Sequence, residues 1–274
     1  MGCIVNHATP RHATPRHAIF LLLFLVIFSN ANAKAADIVT GLVGHWKLDG
    51  NAKDYSGKGV DGTIYGATAT TDRFGTANGA MGFDGSSNFI NLQAPSILKF
   101  QKINNFSVAA WFKTSSATEQ YIFSFFSHTV NAGCAPASHG YLFGIQSSGI
   151  VFITFDDGSS HSIFSALNYN NNLWHHVVGV WNGTNLNLYV DGASVATPVA
   201  GPTAAITYSS PLHANIGESN CYTGLTPGGQ FNGSVDDVRV YKRALTQADV
   251  TALYNMGQAR TMLNRAILRS GVIR

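Results

Sequence analysis

Of the 14 acidic residues in this 274-residue chain, only Glu119 and Glu218 are glutamates. Hydrolysis of a glycosidic bond by its commonest route needs two carboxyl groups about 5–10 Å apart across the scissile bond. Glu119 and Glu218 fall in no pattern that pairs them. Asp156 and Asp157 are adjacent, so on a strand they point to opposite faces, and Gly158 after them reads as a hairpin turn. His175 and His176 diverge for the same reason and cannot easily share a metal ion, so they read as packing residues. His128, His139, His161, Tyr141 and Tyr222 are side-chain types used in proton transfer, but no motif assembles them. No catalytic residues are expected, and the chain reads as non-catalytic.

Binding chemistry is better represented. Sugar sites commonly set an aromatic face beside amide and carboxylate groups. Two polar segments, residues 127–141 and 218–231, hold such types: His128, His139, Tyr141, Glu218, Asn220 and Tyr222 are the ligand-binding candidates, with Asn131 and Gln230 nearby. Cys134 and Cys221 lie one in each segment. A disulfide between them would join and stiffen the two loops, lowering the entropy cost of binding. Two free, buried cysteines are the alternative. The same rim would serve a protein-binding adhesion module.

The N-terminus sets the expected compartment. Arg11 and Arg16 precede an uncharged apolar run, residues 18–28, and Ala31-Asn32-Ala33 follows as a small-x-small site. This is the layout of a secretory signal peptide over residues 1–33, and the run is short for a membrane span. A secreted, extracellular or cell-envelope protein with no transmembrane segment after processing is expected. Outside that leader and a basic tail at 258–274, 11 basic residues stand against 14 acidic ones, which argues against nucleic acid as a partner.

The chain between leader and tail reads as strands and turns. Phe106 to Lys113 is an apolar-rich strand, and residues 141–145 and 150–155 are two more. Residues 174–181, 186–190 and 193–196 form a meander whose turns carry Asn182-Gly183 and Asp191-Gly192, dipeptides that accept the positive φ of tight hairpins. Leu186, Leu188 and Val190 share one face. One helix is predicted near the end, with Thr246 capping it, Asp249 completing a capping box, Val250, Leu253 and Tyr254 inward, and Gly257 as its stop.

Four segments carry a resemblance: Gly44-His45-Trp46-Lys47-Leu48-Asp49, Met81-Gly82-Phe83-Asp84-Gly85, Trp174-His175-His176-Val177-Val178, and residues 231–241 ending in Asp236-Asp237-Val238-Arg239-Val240-Tyr241. In this order they resemble the LamG-like jelly roll of the concanavalin A-like lectin/glucanase superfamily, over residues 41–256. The resemblance implies an all-β, two-sheet antiparallel jelly-roll sandwich with a short C-terminal helix and paired first and last strands. Laminarinase- and agarase-like relatives carry Glu-x-Asp-x-x-Glu on one strand, a pattern absent here. Family members often hold structural calcium, and Asp49, Asp54 and Asp236 are its expected ligands, since calcium takes hard oxygen donors. Asp54 as a turn former and Asp236 or Asp237 paired with Arg239 or Lys242 are the competing readings. The function expected is a secreted module recognising carbohydrate or another extracellular surface ligand. A protein–protein adhesion or structural module comes second, and a polysaccharide hydrolase or lyase third.

Overall fold

Alternation of apolar and polar residues, broken by Gly- and Asn-rich turns, produces a sheet protein. In this computed structural model, residues 37–127, 139–208, 212–219, 221–223 and 226–256 are described, with only the backbone given for 221–223 and 226–228. In chain order the strands are β1 Leu42–Trp46, β2 Thr63–Tyr65, β3 Thr68–Thr70, β4 Ala80–Asp84, β5 Phe89–Asn91, β6 Phe106–Lys113, β7 Gln120–Ser127, β8 His139–Ile145 and β9 Ile150–Asp157. There follow β10 Ser160–Asn168, β11 His175–Trp181, β12 Asn185–Val190, β13 Ala193–Ser194, β14 Val199–Ala200, β15 Leu212–Ile216, β16 Cys221–Thr223, β17 Thr226–Gly228 and β18 Asn232–Tyr241. Among the described residues one α-helix, α1, spans Gln247–Asn255. The expected leader, the tail and Gly257 lie outside the described residues.

Two antiparallel sheets form a jelly-roll sandwich. A nine-stranded sheet runs β13-β12-β11-β6-β18-β4-β3, with β1 also on β18 and β14 on β12. A seven-stranded sheet runs β10-β9-β8-β7-β15-β5-β2. The first and last strands pair as expected, Leu42 opposite Tyr241 and Trp46 opposite Val238. The predicted meander is present as β11, β12 and β13, and Asp191 and Gly192 turn it with φ of 51° and 82°.

The core fills the space between the sheets. Leu186, Leu188 and Val190 point into it while Asn187 and Tyr189 point away. Trp46, Phe106, Phe123, Tyr141, Phe155 and Trp181 are among its largest members, all fully buried. The sheets close tightly at Gly179, where a Cβ would lie 2.3 Å from Ile153 Cδ1. Period-2 alternation therefore sends Phe126, Leu142 and Phe152 to the opposite, outer face of the seven-stranded sheet, where they form a small apolar cluster of their own.

The outer face of the nine-stranded sheet is covered by α1. Thr246 Oγ1 accepts from Asp249 N, and the Asp249 carboxylate accepts from Thr246 N, so the predicted capping box is formed. Val250 and Leu253 pack on Val178, Val180 and Tyr241. Tyr254 stacks on Trp111, with ring centroids 5.6 Å apart. His176 lies on this side beside Trp111, and His175 turns the other way toward Phe112 and Tyr169.

Candidate functional site

Among the pockets formed by the described residues, two polar ones lie one on each sheet. The first lies on the outer face of the seven-stranded sheet, has a volume of about 190 Å³ and draws its lining from β7 to β10. Its floor is an aromatic row. The Tyr121 and Phe152 rings meet edge to face at 6.0 Å, and Phe164 lies 5.7 Å beyond Phe152 at an interplanar angle of 35°. Tyr121 is on β7 and Phe152 on β9, so β8 runs between them. They meet because the intervening position is Gly144, which opposes both residues in the ladder. A Cβ there would lie 2.8 Å from Phe152 Cζ.

Polar groups border the row. Thr154 Oγ1 and Ser162 Oγ share a hydrogen bond of 2.7 Å. Asp156 accepts from Gly158 N and Ser160 Oγ, both at 2.8 Å. At the other end, the Tyr121 hydroxyl donates to Glu119. Burial, reinforced by that carboxylate, pushes the Tyr121 phenol above its usual value, so it remains a donor. Phe164 is 44% exposed while Phe152 is 6% exposed. One ring is thus open to a ligand, and its cross-strand partner packs beside it.

The second pocket, about 270 Å³, lies on the nine-stranded sheet against β1 and β18. Its chemistry depends on a β-bulge. Between Asp236–Trp111 and Arg239–Ala109, two residues of β18 face one of β6, and Asp237 takes φ 51°. The extra residue brings two neighbouring aspartates to the same face. Both contact Arg73 from the loop between β3 and β4: Nη1 donates to Asp236, and Nη2 lies 3.3 Å from Asp237 Oδ2. Asp237 also binds His45 Nε2 at 2.8 Å and Arg239 Nε at 3.0 Å. Burial alone would raise the Asp237 carboxyl, but the His45 hydrogen bond and the Arg239 and Arg73 charges hold it well below the usual range. Burial pushes the Asp236 carboxyl up, with Arg73 pulling against it. The Arg73 guanidinium also lies 4.8 Å from the centroid of the Trp111 ring.

These placements bear on the calcium expectation. Asp49 and Asp236 line this second pocket and Asp54 does not. Asp54 accepts from the backbone N–H groups of His45, Ser56 and Val60 at 3.0, 2.8 and 3.1 Å, which makes it the organiser of its own turn. Those hydrogen bonds lower its carboxyl against the effect of burial. Asp236 is already paired with a cation. Among the described residues, no group of three or more His, Cys, Asp or Glu is arranged to hold a metal ion. Two of the three expected ligands thus have other partners: Asp54 the N–H groups of its own turn, and Asp236 the Arg73 guanidinium.

The loop candidates disperse. Tyr141 is a core residue: fully buried, it donates through its hydroxyl to Leu98 O at 3.1 Å and offers a ligand no surface. The sequence reading erred there because apolar neighbours on β8 and a phenol are equally at home inside. Glu218 is also buried, at 2% exposure, and Asn215 Nδ2 lies 3.3 Å from its Oε2. Burial pushes its carboxyl up to about 7, opposed by a hydrogen bond from Gln230. His139 opens β8 at the rim, opposite Ser127 and Asp157. His128, Asn131, Cys134 and Asn220 lie outside the described residues, as do the side chains of Cys221 and Tyr222, so the disulfide falls there too. Sequence reasoning missed Phe152, Thr154, Asp156 and Phe164. Their signal was the alternation of β9, where Phe152, Thr154 and Asp156 interleave with the core residues Val151, Ile153 and Phe155.

Comparison with known proteins agrees with this architecture. A family model described as "Concanavalin A-like lectin/glucanases superfamily" matches residues 84–251. No curated protein matches the chain. Among solved structures, domain 4 of AbnA, a GH43 extracellular arabinanase from Geobacillus stearothermophilus, in complex with arabinotriose, is similar with TM-score 0.56 and 18% identity, over 78% of this chain and 98% of that one. The binding domain of Paraclostridial Mosquitocidal Protein 1 is similar with TM-score 0.58 and 16% identity, over 80% and 53%. That of botulinum neurotoxin DC in complex with SialylT gives TM-score 0.55 and 14% identity, over 80% and 52%. The chain thus spans about half the length of these toxin domains. At such identities the structural likeness speaks for the fold alone, but the family model covers more than half of the chain, and the chain belongs to the concanavalin A-like lectin/glucanase superfamily.

Proposed function

We propose that this chain is an exported, non-catalytic module that binds a glycan along the outer face of its seven-stranded sheet. The observation that carries this reading is the Tyr121–Phe152–Phe164 row, bordered by the Thr154–Ser162 hydroxyls and the Glu119 and Asp156 carboxylates. An apolar ring stacks on the C–H face of a sugar, and fixed hydroxyl and carboxylate groups bind its hydroxyls. Similar folds in complex with arabinotriose and with SialylT support a saccharide as the ligand. A similar fold in complex with rat synaptotagmin II keeps a protein ligand as the second reading. Non-catalytic binding fits the carboxylates: Glu119 holds Tyr121, Asp156 holds its own turn, and Glu218 is buried. The leader layout at residues 1–33 supports export, and an exported chain favours a Cys134–Cys221 bridge, which intact-mass analysis after alkylation without reduction would read as no free thiol.

The test is a glycan array, followed by titration calorimetry with the wild type and Phe164→Ala. Saturable binding that weakens about tenfold in the variant, equivalent to 1.4 kcal/mol, supports the groove. The melting temperature should hold, because the ring is 44% exposed. Absence of saturable glycan binding, or a variant that binds like the wild type, would overturn the reading.

A further inference from the structure

We infer that the groove selects neutral glycans and rejects sialylated, sulfated and uronic-acid chains; this rests on the glycan reading above. The first observation is the distribution of charge. Between Lys113 and Arg239 the chain contains no lysine or arginine. Strands β7, β8, β9, β10 and β15 all fall in that interval, and β2 and β5, Thr-Ile-Tyr and Phe-Ile-Asn, carry no charge. The whole seven-stranded sheet is therefore built without a permanent cation. In the sequence, residues 128–138 and 217–231 also contain neither lysine nor arginine.

The second observation is what lines the groove itself. Among the described residues its only ionisable carboxyl groups are Glu119, beside Tyr121, and Asp156, farther along β9 from Phe152, and its other polar lining is Tyr121, Gln146, Thr154 and the Ser160 and Ser162 hydroxyls. Carboxylates are acceptor-only, and together with hydroxyls they suit the donor-rich hydroxyl face of a neutral sugar. A bound sialic acid, sulfate or uronate would place an anion beside two anions, with no guanidinium or ammonium to pair it. Anion recognition relies on such cations, and juxtaposed like charges cost several kcal/mol. Histidines also lie on this sheet: His139 at the rim, His161 against Asp157, and His213 opposite Phe126 on β15.

The experiment uses the full processed chain at pH 8 and low salt, titrated with arabinotriose, cellotriose and lactose, and with sialyllactose and sulfated lactose as acidic counterparts. At least one neutral probe should bind, and each acidic probe should bind at least about tenfold more weakly than its neutral parent, as like-charge repulsion predicts. Glu119→Gln should narrow that gap by strengthening the acidic probe. Glu119 is an exposed residue, so this variant should fold. Asp156→Asn is the second variant, isosteric and checked by its melting curve. If sialyllactose or sulfated lactose binds as tightly as lactose and competes with it, and Phe164→Ala weakens both about tenfold, the neutral selectivity is wrong while the glycan groove stands. If neither class binds saturably at any concentration up to millimolar, the glycan reading falls and the selectivity with it.

Discussion

Tyr121 and Phe152 touch edge to face at 6.0 Å although a complete strand, β8, separates the strands that carry them. The contact exists because Gly144 opposes both, leaving a gap in the outer face that Phe152 fills. The aromatic row of the groove is therefore set by the residue that has no side chain. Gly144→Ala tests this. Its Cβ would come within 2.8 Å of both Phe152 Cζ and Gln120 O, and the backbone oxygen cannot swing away. We expect a loss of about 1–3 kcal/mol in stability from overpacking. Glycan affinity should fall further than the melting curve accounts for, because Phe152 is displaced from its place beside Phe164.

Arg73 holds the loop between β3 and β4 onto the sheet by pairing with Asp236 and Asp237. Its side chain is 9% exposed and those of the partners are 5% and 10% exposed. Removing one partner of a buried ion cluster strands the remaining charges, at a cost of about 3–5 kcal/mol. Arg73→Met should lose that much in denaturant titration. Adding Asp236→Asn should restore part of it, since the buried carboxyl group that Arg73 bound is then replaced by a neutral amide.

The same cluster predicts the response to chelation. With Arg73 as the cation and Asp54 saturated by backbone donors, EDTA should leave the melting temperature unchanged. A ligand that binds only the folded state raises stability in proportion to its occupancy. A clear rise in melting temperature on adding calcium, abolished by Asp236→Asn, would restore the calcium site in place of the ion cluster.

Glu218 predicts a pH dependence. Burial raises its carboxyl from 4.5 to about 7, so between those values the folded state holds a proton that the unfolded state has released. By linkage, this contribution is fully present below the unfolded value and is lost as pH rises through about 7. Stability measured from pH 5 to pH 8 should therefore decline by this component. Glu218→Gln should flatten the slope over that window, and a variant with the wild-type slope would show that Glu218 does not titrate there.

At the helix, Asp249 does two things: it completes the capping box with Thr246 and pairs with Arg243 Nη1 at 2.7 Å. Thr246→Ala should cost about 1 kcal/mol, as the loss of one cap does. Asp249→Ala removes the reciprocal cap and leaves Arg243 without its carboxylate, so it should cost more. Chemical denaturation of the two variants side by side reads the difference.

Local physics was legible in the chain itself. Alternation identified β6, β8, β9 and the β11–β13 meander, because one side of each strand must be apolar to be buried. Thr246 and Asp249 announced the helix start, because capping uses side chains three residues apart. The pairing of β1 with β18 was expected from resemblance rather than from any local signal. What required the tertiary structure was every relation between residues distant in sequence. Arg73 meets Asp236 across 163 positions, and a bulge at Asp237, which no pattern of residue types marks, brings both aspartates to one face. Tyr141 looked like a loop-edge binding residue and is core, since a phenol is compatible with either place and only the packing around Leu98 decided. The groove was hidden for the same reason. Alternation shows that Phe152, Thr154 and Asp156 share a face, but a face is core or surface only once the other sheet has chosen its side.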